Sequence, residues 1–367
     1  MTLENLALFV TNDFPIRHEG NVHDGKVRSV YWLTAKDSQR VIRSRGYNVP
    51  ENTRLGVMLI SDRISAFDVI WQGGNGLMGI PGKGADLNTI SEYWFNKFDA
   101  EGLAGNHLLE APHPLAWIVQ KAEPILVEGV ARQYITGSMW RDYSEKGIRE
   151  FCGNILPERL VKNQLLPKLL YTPTTKGNLG HIPGIPNKED AKISREIILR
   201  NWKEFGFKSP DDVDRFEGLI RQAYDLNTKD LADVGQLLAD DKKDCGYVID
   251  PISGELKMIY IDELTTPDSS RIWDANEYSR GKIVESCKEP FRQFLLGTLD
   301  REVLLDDNRM EERRVLARTY RVPVEQFMRT STIYREIAEK ITGEPVTQIE
   351  HPRQEILDAL SGYGIVA

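Results

Sequence analysis

The chain has 367 residues, of which 41% are hydrophobic and 28% charged, and a formal net charge of −8. That length accommodates two lobes around a sizeable core, and the composition is that of a globular protein. The acidic balance argues against nucleic acid as the main partner, and no apolar run reaches the roughly 18 residues of a membrane span, so neither nucleic acid nor a membrane is an expected partner.

From Gly20 to Pro124 short strands alternate with glycine-rich turns. Val27–Leu33, Leu55–Ser61 and Ala116–Ala122 are predicted strands, and Asn88–Phe98 is a predicted helix with Ile90, Tyr93, Trp94 and Phe98 along one face. Ile80-Pro81-Gly82-Lys83-Gly84 is either an anion-binding nest or a turn. Ile125–Val130 forms another strand, continued by Arg132–Ser138. Leu165–Gly184 reads as a long loop, and loops of that length commonly carry function. Ser194–Phe205 is an amphipathic helix. Ser209, Pro210 and Asp212 give a start signal for a second helix running to about Tyr224. Beyond Trp273 helices are expected at Pro290–Leu305, at Val324–Ile341 with Gly343 as its stop, and at Pro352–Leu360. The expected architecture is α+β in three parts: a β-rich lobe over residues 1–124, a mixed α/β lobe over 125–275, and a helical extension over 276–367 packed on the second lobe. The three cysteines Cys152, Cys245 and Cys287 are scattered and have no ligand spacing. They point to a reducing, cytoplasmic setting, and the N-terminal residues do not read as a secretory leader.

The most informative stretch is Leu238–Trp273. Asp240, Lys242 and Asp244 fall at i, i+2 and i+4, so in a strand they share one face as acid, base and acid. A turn at Pro251–Gly254 then returns the chain through Leu256–Ile261 to Asp262 and Glu263, bringing Asp262 near Asp244. Two carboxylates beside a lysine suit Mg²⁺ and a phosphate. The plainer reading of the same charges is a solvated end to the preceding helix.

Five further groups of residues carry candidate chemistry. Gly25, Lys26 and Arg28 sit at a turn feeding a strand, where backbone N–H groups and two cations can meet a triphosphate; an ordinary basic hairpin turn is the alternative. Ser61–Asp68 places short polar groups beside Arg63, suited to a small zwitterion or carboxylate, or simply to a capped turn. Arg132 with Ser138, and Arg271 beside Ser269 and Ser270, are candidate phosphate clamps because guanidinium pairs with phosphate through two parallel hydrogen bonds. Lys176 lies in the long loop, which is a lid or irregular chain.

Taken in series, GKVRSVY, SDRISAFD, IPGKGADLNTISEYWF, PILVEGVARQYITGS, TPTTKG and DELTTPDSSRIW resemble the SAICAR synthetase family over residues 20–275. The resemblance implies a two-lobed fold whose first lobe is similar to the nucleotide-binding lobes of kinases and ATP-grasp enzymes. It also implies an ATP- and Mg²⁺-dependent ligase of purine biosynthesis that joins L-aspartate to the carboxylate of carboxyaminoimidazole ribonucleotide (CAIR) through an acyl phosphate. Carried over, Gly25, Lys26 and Arg28 face the ATP phosphates, and backbone groups of Leu126–Glu128 meet the adenine. Asp244 and Asp262 are the metal-side acids. Arg132, Ser138 and Arg271 hold the nucleotide substrate, with Asp240 near its imidazole or ribose. Ser65, Ala66, Phe67 and Lys242 serve the aspartate end, and Lys176 the phosphoryl transfer.

The chain departs from the family in three places. Asp244 stands where the family usually has Glu, a loss of about 1.5 Å of reach that favours a water-bridged metal contact. The loop after Lys176 is unlike the family's acid-rich one, and the helical tail after Trp273 exceeds that of the short forms. Two other readings compete: a small-molecule kinase, which has no use for SDRISAFD, and a non-catalytic nucleotide-binding protein, which has no use for Lys26, Lys176, Lys242 and Asp262 together. Monomer or homo-oligomer is left open.

Overall fold

A computed structural model describes residues 6–367. In the first lobe β1 (His23–Asp24) and β2 (Arg28–Trp32) flank the Gly25 turn, followed by α1 (Ala35–Arg45) and β3 (Leu55–Ile60). A separate hairpin of β4 (Ile64–Ala66) and β5 (Val69–Trp71) precedes α2 (Lys83–Ala100), and β6 (Leu108–His113) and β7 (Ala116–Gln120) complete the lobe. The main sheet is antiparallel, in the order β1-β2-β3-β7-β6. Every residue of β3 is buried, as its unbroken apolar run requires. Helix α2 starts at Lys83 rather than Asn88, because Gly82 at φ 78° turns the chain into it. The Pro81–Gly84 segment is therefore a helix start.

The second lobe opens with β8 (Glu123–Pro124), β9 (Val127–Tyr134) and α3 (Gly137–Glu145), then β10 (Glu150–Phe151) and β11 (Asn154–Ile155). The first half of the predicted long loop is strand, β12 (Leu165–Tyr171) and β13 (Thr174–Thr175), both paired with β9, and the part after Thr175 is irregular. Helix α4 (Arg195–Arg200) is shorter than its pattern. Helix α5 (Asp211–Asp233) begins where Asp212 N–H donates to Ser209 Oγ at 3.2 Å and runs past Tyr224. α5 lies close on β9: a Cβ at Gly129 would come 2.4 Å from Ile220, so only glycine fits that crossing.

The spine of this lobe is β14 (Gln236–Ile249), which pairs along its length with β9 and β8 on one edge and with β16 (Ser270–Asp274) and then β15 (Leu256–Ile261) on the other. Asp241 and Lys243 point away from the cleft into the core, each 1% exposed, where they pair with one another and Ser270 Oγ donates to Asp241 at 2.7 Å. The charged run thus serves two faces.

The extension contains α6 (Ala275–Ser279), α7 (Glu289–Thr298), α8 (Arg301–Leu305), α9 (Met310–Thr319), α10 (Val324–Thr342) and α11 (Pro352–Ser361). It lies chiefly against the first lobe, which corrects the expectation that it packs on the second. α10 runs along α2, tied by Arg335 to Asp86 at 2.7 Å and by Ser331 Oγ to the Pro81 carbonyl at 2.6 Å. Val322 exchanges backbone hydrogen bonds with Gln72 and Gly74. The reason is the β4–β5 hairpin, whose Ile64, Ala66, Val69 and Trp71 belong to neither large sheet and are covered by Phe291, Leu295, Leu304, Val322 and Phe327. No helix among the described residues is long and apolar enough to cross a membrane.

Candidate active site

The two sheets and the extension enclose a cleft of about 1820 Å³. It is lined at one end by Val30, Met58 and the lobe crossing at Gln120–Ala122, at its centre by Lys26, Arg28, Lys176, Lys242 and Asp262, and at the far end by Arg132, Ser138 and Arg271.

The central cluster is built by the β14–β15 hairpin. Register sets Asp244 opposite Ile261, so the next residue, Asp262, arrives beside it. Lys176 Nζ donates to Asp244 Oδ2 at 2.6 Å and lies 4.0 Å from Asp262 Oδ2. Lys242 Nζ reaches Glu128 at 2.9 Å and Asp244 at 3.2 Å. Arg28 spans Asp262 at 3.3 Å and Glu263 at 3.1 Å. Burial alone would raise Asp262 and Asp244. The cations around them win: Arg28, Lys176 and Lys242 hold Asp262 well below the usual carboxylate range, and Lys176 and Lys242 lower Asp244. Burial would lower Lys242 and Lys176, and the same carboxylates keep both above the ordinary lysine value. Lys176, Lys242, Asp244 and Asp262 are therefore charged at neutral pH. Asp244 is 2% exposed and lies beneath the two lysines, and its Oδ1 is buried with no hydrogen-bond partner. Asp262, at φ 66°, is the acid that reaches the cleft.

At the far end Asp240 Oδ2 receives Arg132 Nη1 and Arg271 Nη1, both at 2.6 Å. Burial opposes its ionisation, and the two guanidiniums still lower its pKa. Arg132 Nε donates to Thr172 Oγ1 at 3.0 Å, which fixes the plane of its guanidinium. Ser138 sits in the first turn of α3, where unpaired N–H groups favour an anion. Gly137, at φ 56°, lies under Arg271: a Cβ there would come 2.4 Å from Nη2. Sequence, backbone and clamp are coupled at this one glycine.

Gly25 turns the chain through its N–H to the Arg28 carbonyl at 2.8 Å, and Lys26 pairs with Asp68 at 2.7 Å and Glu189 at 3.6 Å. Ser65, Ala66 and Phe67 line the cleft on the β4–β5 hairpin, with the Ala66 carbonyl accepting from Trp71 Nε1 at 2.9 Å. One placement differs from expectation. Leu126 N–H donates to Phe205 O at 2.8 Å and its carbonyl accepts from Lys176 N–H at 3.1 Å, so neither backbone group faces the cleft. Glu128 contributes its carboxylate, to Lys242 and to Thr174 Oγ1 at 2.6 Å, and its backbone is paired in the sheet.

Sequence reasoning missed several cleft residues. The lobe crossing at Gln120–Ala122 had only the end of a predicted strand to mark it. Asp190 lines the cleft from the loop after Lys176, and burial beside Glu128 and Asp68 pushes it up to about 6. Lys288, which burial pushes down to about 8, and Arg292 enter from the extension, and no motif announced them.

A cleft between two lobes, with one cation–carboxylate centre and a separate arginine clamp, is suited to phosphorylated ligands. The chain belongs to the SAICAR synthetase family, whose model matches residues 21–303. It is 53% identical over 368 residues to the phosphoribosylaminoimidazole-succinocarboxamide synthase of Vibrio vulnificus, covering 100% of both chains. It is 54% identical over 361 residues to that of Shewanella baltica, covering 98% of each. A SAICAR-synthase from Saccharomyces cerevisiae, solved with SAICAR, superposes with a TM-score of 0.61 at 25% identity, over 90% of this chain and 99% of that one. The protein is accordingly a nucleotide-using carbon–nitrogen ligase of purine biosynthesis that joins aspartate to CAIR.

Proposed function

We propose that the chain carries out this ligation with ATP through an acyl phosphate, each substrate taking one part of the cleft. The observation that carries the reading is β14 itself. Asp240 orders the Arg132–Arg271 clamp and Lys242, two residues on, stands in the centre, about 7 Å along the strand. A nucleotide gripped at Arg132, Arg271 and Ser138 by its 5′-phosphate therefore points its base at Lys242 and Lys176.

ATP lies with its adenine against the crossing at Gln120–Ala122, between Val30 and Met58 of one lobe and Ile261 of the other, and with its phosphates toward Gly25, Lys26 and Arg28. This replaces the Leu126 contact. Lys176 and Lys242 sit where a phosphoryl group passes from ATP to the CAIR carboxylate, and their charges offset the charge that collects on its oxygens. The carboxylate oxygen bonds to the γ-phosphorus and ADP leaves. The aspartate amine, held at Ser65–Phe67, then bonds to the acyl carbon and phosphate leaves. The protein's share of the rate is positioning and charge neutralisation.

Mg²⁺ fits the donor set. Asp262 presents an ionised carboxylate to the cleft, and Asp244 keeps a buried oxygen with no partner. Hard cations take such oxygens together with phosphate oxygens and water. Asp262 would hold the ion directly and Asp244 from beneath, and the bound ion would neutralise charge on the ATP phosphates. We also take the setting to be cytoplasmic, in line with three cysteines that form no disulfide.

The test is ADP release with CAIR and L-aspartate given separately and together. Strong release only with both is the expected result. Release with another acceptor and no aspartate would indicate a kinase, and no release under any condition a binding protein.

A further inference from the structure

The hairpin that carries Ser65, Ala66 and Phe67 is outside both large sheets, and its two-residue loop is Phe67–Asp68. Both residues have positive φ, 56° and 63°. Such loops favour Asn-Gly or Asp-Gly, and a phenylalanine there is held only if its surroundings over-determine it. Local sequence therefore does not account for the turn; something outside the hairpin does.

That something is Arg313, on α9 of the extension. Its side chain is buried, with the residue 2% exposed, and its guanidinium hydrogen-bonds to three backbone carbonyls. Nη1 donates to Phe67 O at 3.1 Å, Nε to Val303 O at 3.1 Å and Nη2 to Asp306 O at 2.8 Å. It thus staples the apex of the strained turn to the end of α8 and the start of the following turn. Asp68, in the same loop, carries the pair to Lys26. A buried cation whose three hydrogen bonds all go to carbonyls is not there for an ion pair. Its rigid fork matches three fixed acceptors, which a lysine cannot reproduce.

We propose that Arg313 is a positioning residue for the amino-acid substrate: it fixes the Phe67–Asp68 turn and so holds Ser65–Phe67 at the distance from the cleft centre at which aspartate binds. The extension beyond the matched family region, which ends at residue 303, thereby completes the aspartate end of the site. This rests on the reading that Ser65–Phe67 receive aspartate.

The experiment compares Arg313→Met, Arg313→Lys and Ser65→Ala in the full-length enzyme. KM is measured for each substrate, and hydrogen–deuterium exchange is followed over residues 62–72. Arg313→Met is expected to raise the KM for L-aspartate about 10- to 100-fold, with the KM values for ATP and CAIR within about twofold, and to speed exchange in the hairpin. Arg313→Lys should fall between it and the parent. A purely structural role would instead lower kcat and stability with all three KM values moving together, and that result overturns the proposal. So does unchanged exchange in the hairpin. If Ser65→Ala raises the aspartate KM and Arg313→Met does not, the positioning role falls while the aspartate site stands. If neither raises it, both fall.

Discussion

Replacing Arg271 by alanine removes one arm of the clamp that we assign to the CAIR phosphate. The arm is 14% exposed and shares Asp240 Oδ2 with Arg132, each at 2.6 Å. One charge about 4 Å from a phosphate charge is worth about 4 kcal/mol at an effective dielectric of 20. Asp240 stays behind and opposes the phosphate, and the guanidinium must also give up its own bonds, so the net loss sits nearer that of charge-assisted hydrogen bonds, about 2–3 kcal/mol. That is about a 30- to 150-fold rise in the KM for CAIR. Asp240 keeps its bond to Arg132, so the substitution does not strand a buried carboxylate, and the protein should fold. Arg132→Ala should act alike. Because both arms hang on one carboxylate, the double substitution should depart from the sum of the single effects by about 0.5–3 kcal/mol. The assay is initial rate against CAIR at saturating ATP and L-aspartate, then against ATP at saturating CAIR. Equal rises in both KM values would refute the clamp assignment.

Asp262→Asn should reduce turnover about 100-fold or more and flatten its dependence on Mg²⁺, since the acid facing the cleft is gone; an unchanged magnesium titration removes Asp262 from the metal site. Gly137→Ala drives a Cβ to 2.4 Å from Arg271 Nη2 at a positive φ, so the CAIR KM should rise about tenfold while the ATP KM holds. An ATP KM that rises equally would show that the glycine serves general folding. Asp62, 4% exposed and accepting from Leu8 N–H at 2.7 Å and Gly84 N–H at 2.8 Å, is pushed by burial up to about 6. A carboxyl raised on folding binds more protons in the native state, so its contribution is present below the unfolded pKa and is lost as pH rises through about 6, worth about 3 kcal/mol. Urea unfolding of Asp62→Asn should therefore gain on the parent by that order between pH 4 and pH 7, and a loss instead would reverse the sign of the shift.

Local pattern sufficed for a good part of this protein. The period-two placement of Asp240, Lys242 and Asp244 put all three on one face of one strand, with Asp240 and Lys242 lining the cleft and Asp244 paired beneath Lys242 and Lys176, because alternation of side chains is a property of any extended chain. The Ser209–Asp212 start signal and the stop at Gly343 also read through, since helix ends answer to a few adjacent backbone groups. Order of motifs along the chain was enough to identify the family. The same local rules misled where long-range contact decides. Leu126 sits in an apolar run that sequence could only label a strand, and which partners take its N–H and carbonyl depends on where Phe205 and Lys176 arrive. Asp241 and Lys243 occupy the face that period-two logic reserves for apolar residues; they pair with one another, and the meeting of β16 and the segment after Asp262 supplies their further partners Ser270 and Thr265.

Sequence by itself determined the class of chemistry, because side-chain type and spacing set which charges one strand can present. Tertiary structure alone decided which of those charges reach the cleft. It turned Asp244 under two lysines and left Asp262 at the surface of the cleft. It brought Gln120–Ala122 to the cleft in place of the Leu126 backbone, and it laid the extension against the hairpin of the first lobe. The physical reason is that burial and pairing energies depend on neighbours distant in the chain, and a one-dimensional pattern contains no such distances.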